Sequence, residues 1–339
     1  MPFLAYTSYS HWFFRVFDFI KVQISLLQFF VIVGILIFHQ PYEVLDYIMI
    51  GGLSISVIFH ISFVIPYTFF YPAEVKMVKE VGEGKKLSLI TANVLQTNDN
   101  YEGFLEFVKS HNPDFVLAME TDQKWDEGLM PMEKEYSYTV KATLDNMYGM
   151  QLYSKMEIKD SEIEYLVEKD VPSINCKLKF TENANVWLHC IHPAPPSPTE
   201  NETSEERDAE LMIVGKRIAN QHETMIVCGD LNDVAWSETS RLFKKLTGLL
   251  DSRIGRWIYP TFHANYLFLR FPLDHLFHSA DMNVMKIERL PYYGSDHFAM
   301  YYEFAIHPRK IEKKVEKELT NEEEEKVEEL IEEGTDEAN

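Results

Sequence analysis

Between Met1 and Ala73 the only charged residues are Arg15, Asp18, Lys21, Glu43 and Asp46, and Phe, Ile, Val, Leu and Tyr crowd the rest. Soluble domains are not built with so little polar surface. Residues 22–38 form an uncharged run that reaches across bilayer hydrocarbon if Gln23 and Ser25 sit at its rim. Residues 47–70 are a longer run, interrupted only by small residues, His60 and Pro66. A span needs about 20 largely apolar residues, because every backbone group must be satisfied without water. Two transmembrane helices are therefore expected, making residues 1–73 a membrane anchor. Two adjacent charge-free runs exceed what a soluble core shows, and a cleaved signal peptide would account for only one of them. Arg15 and Lys21 precede the first run, Glu43 and Asp46 lie between the two, and Lys76, Lys79, Lys85 and Lys86 follow the second. By the positive-inside rule both ends are cytoplasmic.

After a linker at 74–86, residues 87–308 read as one unit of alternating strands and helices. Apolar runs predict strands at 87–92, 115–119, 149–153, 174–180, 186–191, 225–228, 275–278 and 300–304. Helices are expected at 101–110, 206–221 and 237–245. Many strands with few helices imply two packed sheets covered outside by helices. The tail at 309–339 carries six basic and 13 acidic residues and cannot build a core. Its partial helical spacing of Ile311, Val315 and Leu319, then Val327, Leu330 and Ile331, predicts a frayed, solvated helix. Cys176, Cys190 and Cys228 lack the pairing of a disulfide framework or a zinc site and are expected to be small buried apolar residues.

The chemistry sits at strand ends. Five apolar runs terminate in Thr91-Ala92-Asn93, Met119-Glu120-Thr121, Cys190-Ile191-His192-Pro193, Gly229-Asp230-Leu231-Asn232 and Gly294-Ser295-Asp296-His297, and Pro272-Leu273-Asp274-His275 begins another. Singly each is weak, since Asn after a strand is a common turn former and Gly-Asp-Leu-Asn is compatible with an Asx-turn. Carboxylates and amides delivered together to one rim make a hard, oxygen-rich pocket suited to Mg²⁺, which takes one or two carboxylates plus waters and phosphate oxygens. Asp230 can hold and polarise a water and Asn232 can donate its amide to a phosphoryl oxygen. Asp274, among Pro272, Leu273, Leu276 and Phe277, needs a partner when buried, and a histidine is the economical one. The histidines would contact phosphate or move a proton rather than bind the metal.

The ordered set Asn93, Glu120, His192, Asp230, Asn232, Asp274, Asp296 and His297 resembles the endonuclease/exonuclease/phosphatase superfamily, the deoxyribonuclease-I-like fold, over about residues 87–304. The resemblance implies an α/β (α+β) four-layered sandwich of two mixed β-sheets flanked by helices, here preceded by the two transmembrane helices. It also implies cleavage of phosphate esters with Mg²⁺ or Mn²⁺. By resemblance Glu120 binds the metal with Asn93 and Asp296 close by, Asp230 orients or deprotonates the attacking water, and Asn232 holds the phosphate. His297, braced by Asp274, would stabilise developing charge, and His192 would contact the scissile phosphate. Arg207, on the following helix, supplements His192 or is a surface helix residue. Members acting on abasic DNA carry an acidic residue at the position of Leu95 and often a Tyr at that of His192, which argues against base-excision repair. The Pro-rich loop after His192, the stretch Asn146-Met147-Tyr148-Gly149-Met150 and the membrane helices look like a bacterial membrane-anchored branch. Related members linked to glycopeptide resistance have outward-facing catalytic domains, so the side of the membrane stays open.

Three functions compete. A tethered phosphohydrolase acting on a lipid-linked phosphate or pyrophosphate fits the spans and the acidic charge. A nuclease needs a basic groove, whereas the whole chain has 32 Lys+Arg against 53 Asp+Glu, a net of −21, the wrong sign for affinity drawn from many nucleic-acid phosphates. A non-catalytic membrane scaffold would not need the complete residue set.

Overall fold

Apolar runs favour the interior of a sheet, and the eight strands expected from the sequence are the interior strands of two sheets. The protein is described here by a computed structural model over residues 9–307 and 319–338. The first sheet contains β1 (Lys85–Asn93), β2 (Phe115–Met119), β3 (Tyr138–Ala142), β4 (Met150–Ser154), β11 (Met282–Arg289) and β12 (Met300–Ile306) in the order β11-β12-β1-β2-β4-β3. The second contains β5 (Ile158–Glu164), β6 (Ser173–Thr181), β7 (Ala184–Cys190), β8 (Met225–Asp230), β9 (Leu250–Asp251) and β10 (Asp274–His278) in the order β5-β6-β7-β8-β10-β9. Both sheets are mixed: β1 runs parallel to β2 and β7 parallel to β8, while the remaining pairs are antiparallel.

The inner faces meet in one core, where Leu87, Leu89, Phe115 and Leu117 pack with Leu178, Leu188, Ile226 and Leu276. All three cysteines are free and buried in this core. Outside the first sheet, α4 (Tyr101–His111) and α5 (Gln123–Leu129) bury Phe104, Val108, Trp125 and Leu129 against Ile90, Val116 and Tyr153. Outside the second, α6 (Glu205–Ile218) and α7 (Glu238–Thr247) bury Leu211, Met212, Val214 and Phe243 against Val227 and Phe277. The result is four layers.

The tail departs from the solvated helix expected. Residues 321–337 form α8 (Asn321–Glu337), opened by a Thr320/Glu323 capping box and docked along α6 with Val327 and Leu330 buried. Gly334 lets the two backbones touch: a Cβ there would lie 2.3 Å from the Glu205 carbonyl oxygen. Lys216 pairs with Glu328, and Lys245 with Glu323. The apolar spacing was thus a real docking face, hidden by the surrounding charge. Ile311 and Val315 lie outside the described residues.

At the other end, α1 (Trp12–Phe19), α2 (Lys21–Phe38) and α3 (Val44–Val64) precede the sandwich. Two stretches, Lys21–Phe38 and Val44–Tyr67, are long and apolar enough to cross a membrane, and they expose Leu27, Phe30, Phe38, Ile48 and Ile58. Gln28 bonds Ser56 between them. Arg15 and Lys21 are not free juxtamembrane charges. Both are buried, with the Arg15 guanidinium on Ser204 and Lys21 on Asp18, which removes part of the charge bias behind the positive-inside reading. Residues 74–86 are no loose linker either. Glu74 pairs with Lys244 and accepts from the Asp251 amide, Val75 is buried, and Val78 donates to the Val284 carbonyl.

Candidate active site

Strand register explains why distant residues meet. Asn93 pairs with Met119 across β1/β2, so Glu120 emerges beside it. Cys190 pairs with Cys228 across β7/β8, so His192 and Asp230, each two residues on, leave the same rim. Across β8/β10, Asp230 faces Asp274 directly. The loop entering β12 is tied to this rim by Ser295, whose hydroxyl donates to the Asn93 carbonyl at 2.8 Å and accepts the His297 amide at 3.0 Å. Gly229, at φ 149°, passes so close to Ile191 that a Cβ would lie 1.9 Å from its carbonyl oxygen. That position admits only glycine.

These ends surround a cavity of about 340 Å³ lined by Asn93, Glu120, His192, Asp230, Asn232, Asp296 and His297, with Tyr148, Glu200 and Phe262. Of the sequence-predicted residues only Asp274 stands behind the wall. Four lining residues other than glycine have positive φ: Leu95 at 59°, Glu120 at 61°, Met147 at 69° and Asn232 at 50°. For Leu95, Glu120 and Met147 this conformation costs of order 1–3 kcal/mol each, whereas Asn accepts it readily in turns. Such conformations cluster at functional sites.

Asn93 donates to Glu120 at 2.6 Å and to Asp230 at 3.1 Å, which fixes both carboxylates. The second Glu120 oxygen accepts the Gln96 amide at 3.3 Å. Asp230 accepts the Asn232 amide at 3.0 Å and lies 3.3 Å from His297 Nε2 and 3.9 Å from His192 Nε2. His297 Nδ1 bonds the Asp274 carboxylate at 2.8 Å. Burial opposes charge on His297, but Asp230 and Asp274 outweigh it and push the ring up to about 10. Burial likewise opposes the Asp230 carboxylate, yet His297 and its amide donors leave it below the usual range. His192 goes the other way, down to about 4, because burial and the nearby His297 charge exceed the attraction of Asp230. Two histidines in one cavity are thus set to opposite states, one cationic and one neutral.

The residues fit a divalent cation. Burial, with Asp296 and Asp230 adding to it, pushes Glu120 up to about 7 despite the Asn93 bond and His297. Asp296 has a buried oxygen without a hydrogen-bond partner among the described residues. The set is oxygen-rich and short of positive charge, which is the environment a hard cation completes. Asp230, Asp274 and His297 also lie within 4.8 Å of one another, close enough to hold an ion. There, however, the imidazolium already supplies the positive charge.

Asn232 gives one amide hydrogen to the Pro193 carbonyl, leaving the other for a ligand. Arg207 fits neither sequence reading. It is buried, its guanidinium binds Asp208, and Nη1 donates to the Asn232 carbonyl at 2.9 Å, so it braces the Gly-Asp-Leu-Asn turn from behind. Sequence reasoning did not assign Gln96, Ser295, Glu200 or Phe19. Ser295 was visible inside the Gly-Ser-Asp-His segment, whereas Phe19 comes from α1, ahead of the apolar helices, and carried no signal. Arg253 was also unassigned; it holds Asp251 and donates to the Asp274 carbonyl at 3.1 Å, which steadies β10.

Two mixed sheets carrying a rim of acidic and histidine side chains that could bind a metal define the class of fold. Residues 90–297 match the endonuclease/exonuclease/phosphatase family, more than half of the sequence, and the chain belongs to that family. Its members are divalent-metal-dependent phosphoesterases and nucleases. No curated protein sequence matches the chain. Among solved structures, the human Nocturnin catalytic domain with bound sulfate is similar at a TM-score of 0.54 and 16% identity, covering 71% of this chain and 99% of that one. TDP2 from D. rerio, complexed with a single-strand DNA product, gives 0.53 and 18%, covering 65% and 99%. An endonuclease/exonuclease/phosphatase from Beutenbergia cavernae gives 0.53 and 14%, covering 66% and 72%. At these identities the likeness is one of fold.

Proposed function

We propose that the chain is a membrane-anchored phosphohydrolase that uses Mg²⁺, or Mn²⁺ in its place, to cleave a phosphate ester or pyrophosphate carried on a lipid. The observation that carries this reading is the buried relay Asp274–His297–Asp230 opening onto the oxygen-rich group of Asn93, Glu120 and Asp296. Those three residues would hold the ion. When bound, it would polarise a phosphoryl oxygen and offset the charge that develops there.

The chain's own groups divide the remaining work. Asp230, held ionised, accepts the O–H of a water and fixes its line of approach to phosphorus. His297, kept cationic and oriented by Asp274, donates from Nε2 towards charge growing on the phosphoryl group. His192 is neutral, and its Nδ1 has no partner among the described residues, so it contacts the phosphate without adding a competing charge beside His297. The free Asn232 hydrogen serves a further phosphoryl oxygen. The two apolar helices and the acidic rim at Glu200 favour a lipid-borne phosphate over a long nucleic acid, whose affinity rests on basic contacts.

The test offers detergent-solubilised full chain with Mg²⁺ a lipid pyrophosphate, bis-p-nitrophenyl phosphate and single-stranded DNA side by side. Turnover of the phosphate esters, lost with EDTA and in Asp230→Ala or Glu120→Ala, is expected. Cleavage of DNA alone would replace the reading with a nuclease, and turnover unaffected by EDTA would remove it.

A further inference from the structure

One wall of the cavity is not made by strand ends. Phe19, from the last turn of α1, forms it with Phe262 and Leu273, and Phe19 packs edge-on against Phe271 at 5.5 Å. Between Phe262 and Phe271, which bond each other's backbone, the chain makes a short excursion. Its tip, Tyr266-Leu267-Phe268-Leu269, carries four successive large apolar side chains into the open, with Leu267 67% and Phe268 83% exposed. Loop tips are normally polar, and a contiguous exposed apolar patch marks an interaction surface.

The position of this tip says what covers it. The Gln23 side chain donates to the Phe268 carbonyl at 2.9 Å, and Gln23 lies in the first turn of α2, where the apolar run begins. The tip therefore stands at the level where α2 would enter a bilayer. Phe69, Phe70 and Tyr71, just after α3, are exposed as well, so both apolar helices leave the domain through an aromatic collar of the kind that sits at the headgroup level. No charged residue occurs from 264 to 269. Only four residues separate Phe19 from Gln23, across the junction at Ile20 between α1 and α2, and Phe19 packs on Phe271 at the base of the same excursion, so the cavity wall and this collar are close neighbours.

Building on the anchored-hydrolase reading, we propose that residues 266–269 are a lip that dips into the bilayer surface beside α2 and α3. A lipid phosphoester reaches the cavity from that surface across Phe19, Phe262 and Leu273. The headgroup enters the polar end while its apolar chain stays on the aromatic side, so the substrate does not have to leave the membrane.

The three native cysteines are buried, which lets Phe268→Cys in the full chain take an environment-sensitive thiol label alone. Glu182→Cys is the control: its side chain is 85% exposed in the β6–β7 turn, at the opposite end of β7 from His192. In vesicles of equal parts phosphatidylethanolamine and phosphatidylglycerol, acyl-chain quenchers are expected to quench the label at 268 and spare that at 182. The double variant Leu267→Asp with Phe268→Asp is expected to lose about tenfold or more in hydrolysis of a vesicle-borne phosphoester while keeping its rate on bis-p-nitrophenyl phosphate. A label at 268 that stays unquenched, or a double variant as fast as the parent on vesicles, overturns the lip. A parent inactive on both substrates but quenched at 268 instead removes the hydrolase reading and the entry route, leaving the insertion standing.

Discussion

Replacing Asp274 by Asn isolates the brace behind the site. Asp274 is buried, does not line the cavity, and touches His297 Nδ1 at 2.8 Å. Asn keeps the shape and the bond but removes the charge. Raising an imidazole from its ordinary 6.5 to about 10 corresponds to about 5 kcal/mol of preference for the cation, which Asp230 and Asp274 supply together. A charge-assisted bond accounts for roughly 1.5–3 kcal/mol, so kcat should fall about 10- to 150-fold. Because Asp274 contacts no ligand, KM should hold. The sign on pH follows from the raised value. The ring's ionic contribution is complete below 6.5 and disappears as pH rises through about 10, so activity that needs the cation fades on the alkaline side. In Asp274→Asn that fade should move to lower pH. Steady-state hydrolysis of bis-p-nitrophenyl phosphate across pH, with circular dichroism as the fold control, reads both effects. An unchanged kcat with the alkaline limb in its parental place refutes the bracing role.

Three further outcomes are expected. Glu120→Gln and Asp296→Asn should each weaken Mg²⁺ binding at least about tenfold by calorimetry, while the parental affinity in both would exclude them as ligands. Glu210 is buried with Ser173 as its partner and is pushed up to about 7 by that burial. Its contribution to stability is therefore present below the ordinary 4.5 and lost as pH rises through 7, a change of about 3 kcal/mol. Glu210→Gln should accordingly raise the melting temperature at pH 8 but not at pH 4, and equal shifts at both would contradict the burial argument. Gly334→Val should clash with the Glu205 carbonyl and Ala209, costing up to about 3–6 kcal/mol of Val327 and Leu330 burial. Faster proteolysis within residues 321–337 checks this, and a tail that stays protected would disprove tight docking.

The strands that sequence reading found and missed divide along a physical line. The strands foreseen are interior; most are covered on both faces and read as nearly unbroken apolar runs, as in Phe-Val-Leu-Ala-Met at β2, while β6 alternates buried apolar residues with half-buried Lys177 and Lys179. The strands not foreseen, β3, β5, β9 and β11, are the four sheet edges. β5 reads Ile-Lys-Asp-Ser-Glu-Ile-Glu and is mostly exposed, because an edge strand can carry charge without burying it. The site was legible for a related reason: an apolar strand that ends in Glu, Asp or Asn advertises its rim. Arg207 was not legible, since its partners Asp208, Asp233 and the Asn232 carbonyl meet only in three dimensions. The docked α8 was obscured by its own surface charge.

The docking of α1 and of the end of α3 against the sandwich bears on how the protein can be handled. Trp236 donates its indole N–H to the Asp18 carbonyl at 2.8 Å, and Tyr67 donates to the Ala235 carbonyl at 2.6 Å. Val64 and Tyr67 share an apolar cluster with Trp236, Ile254, Phe271 and Leu273. Trimming the chain to residue 74 to make it water-soluble would bare that cluster, orphan an indole and delete Phe19 from the cavity. The shortened protein would aggregate through this scar, and any selectivity measured on it would describe a pocket missing one side.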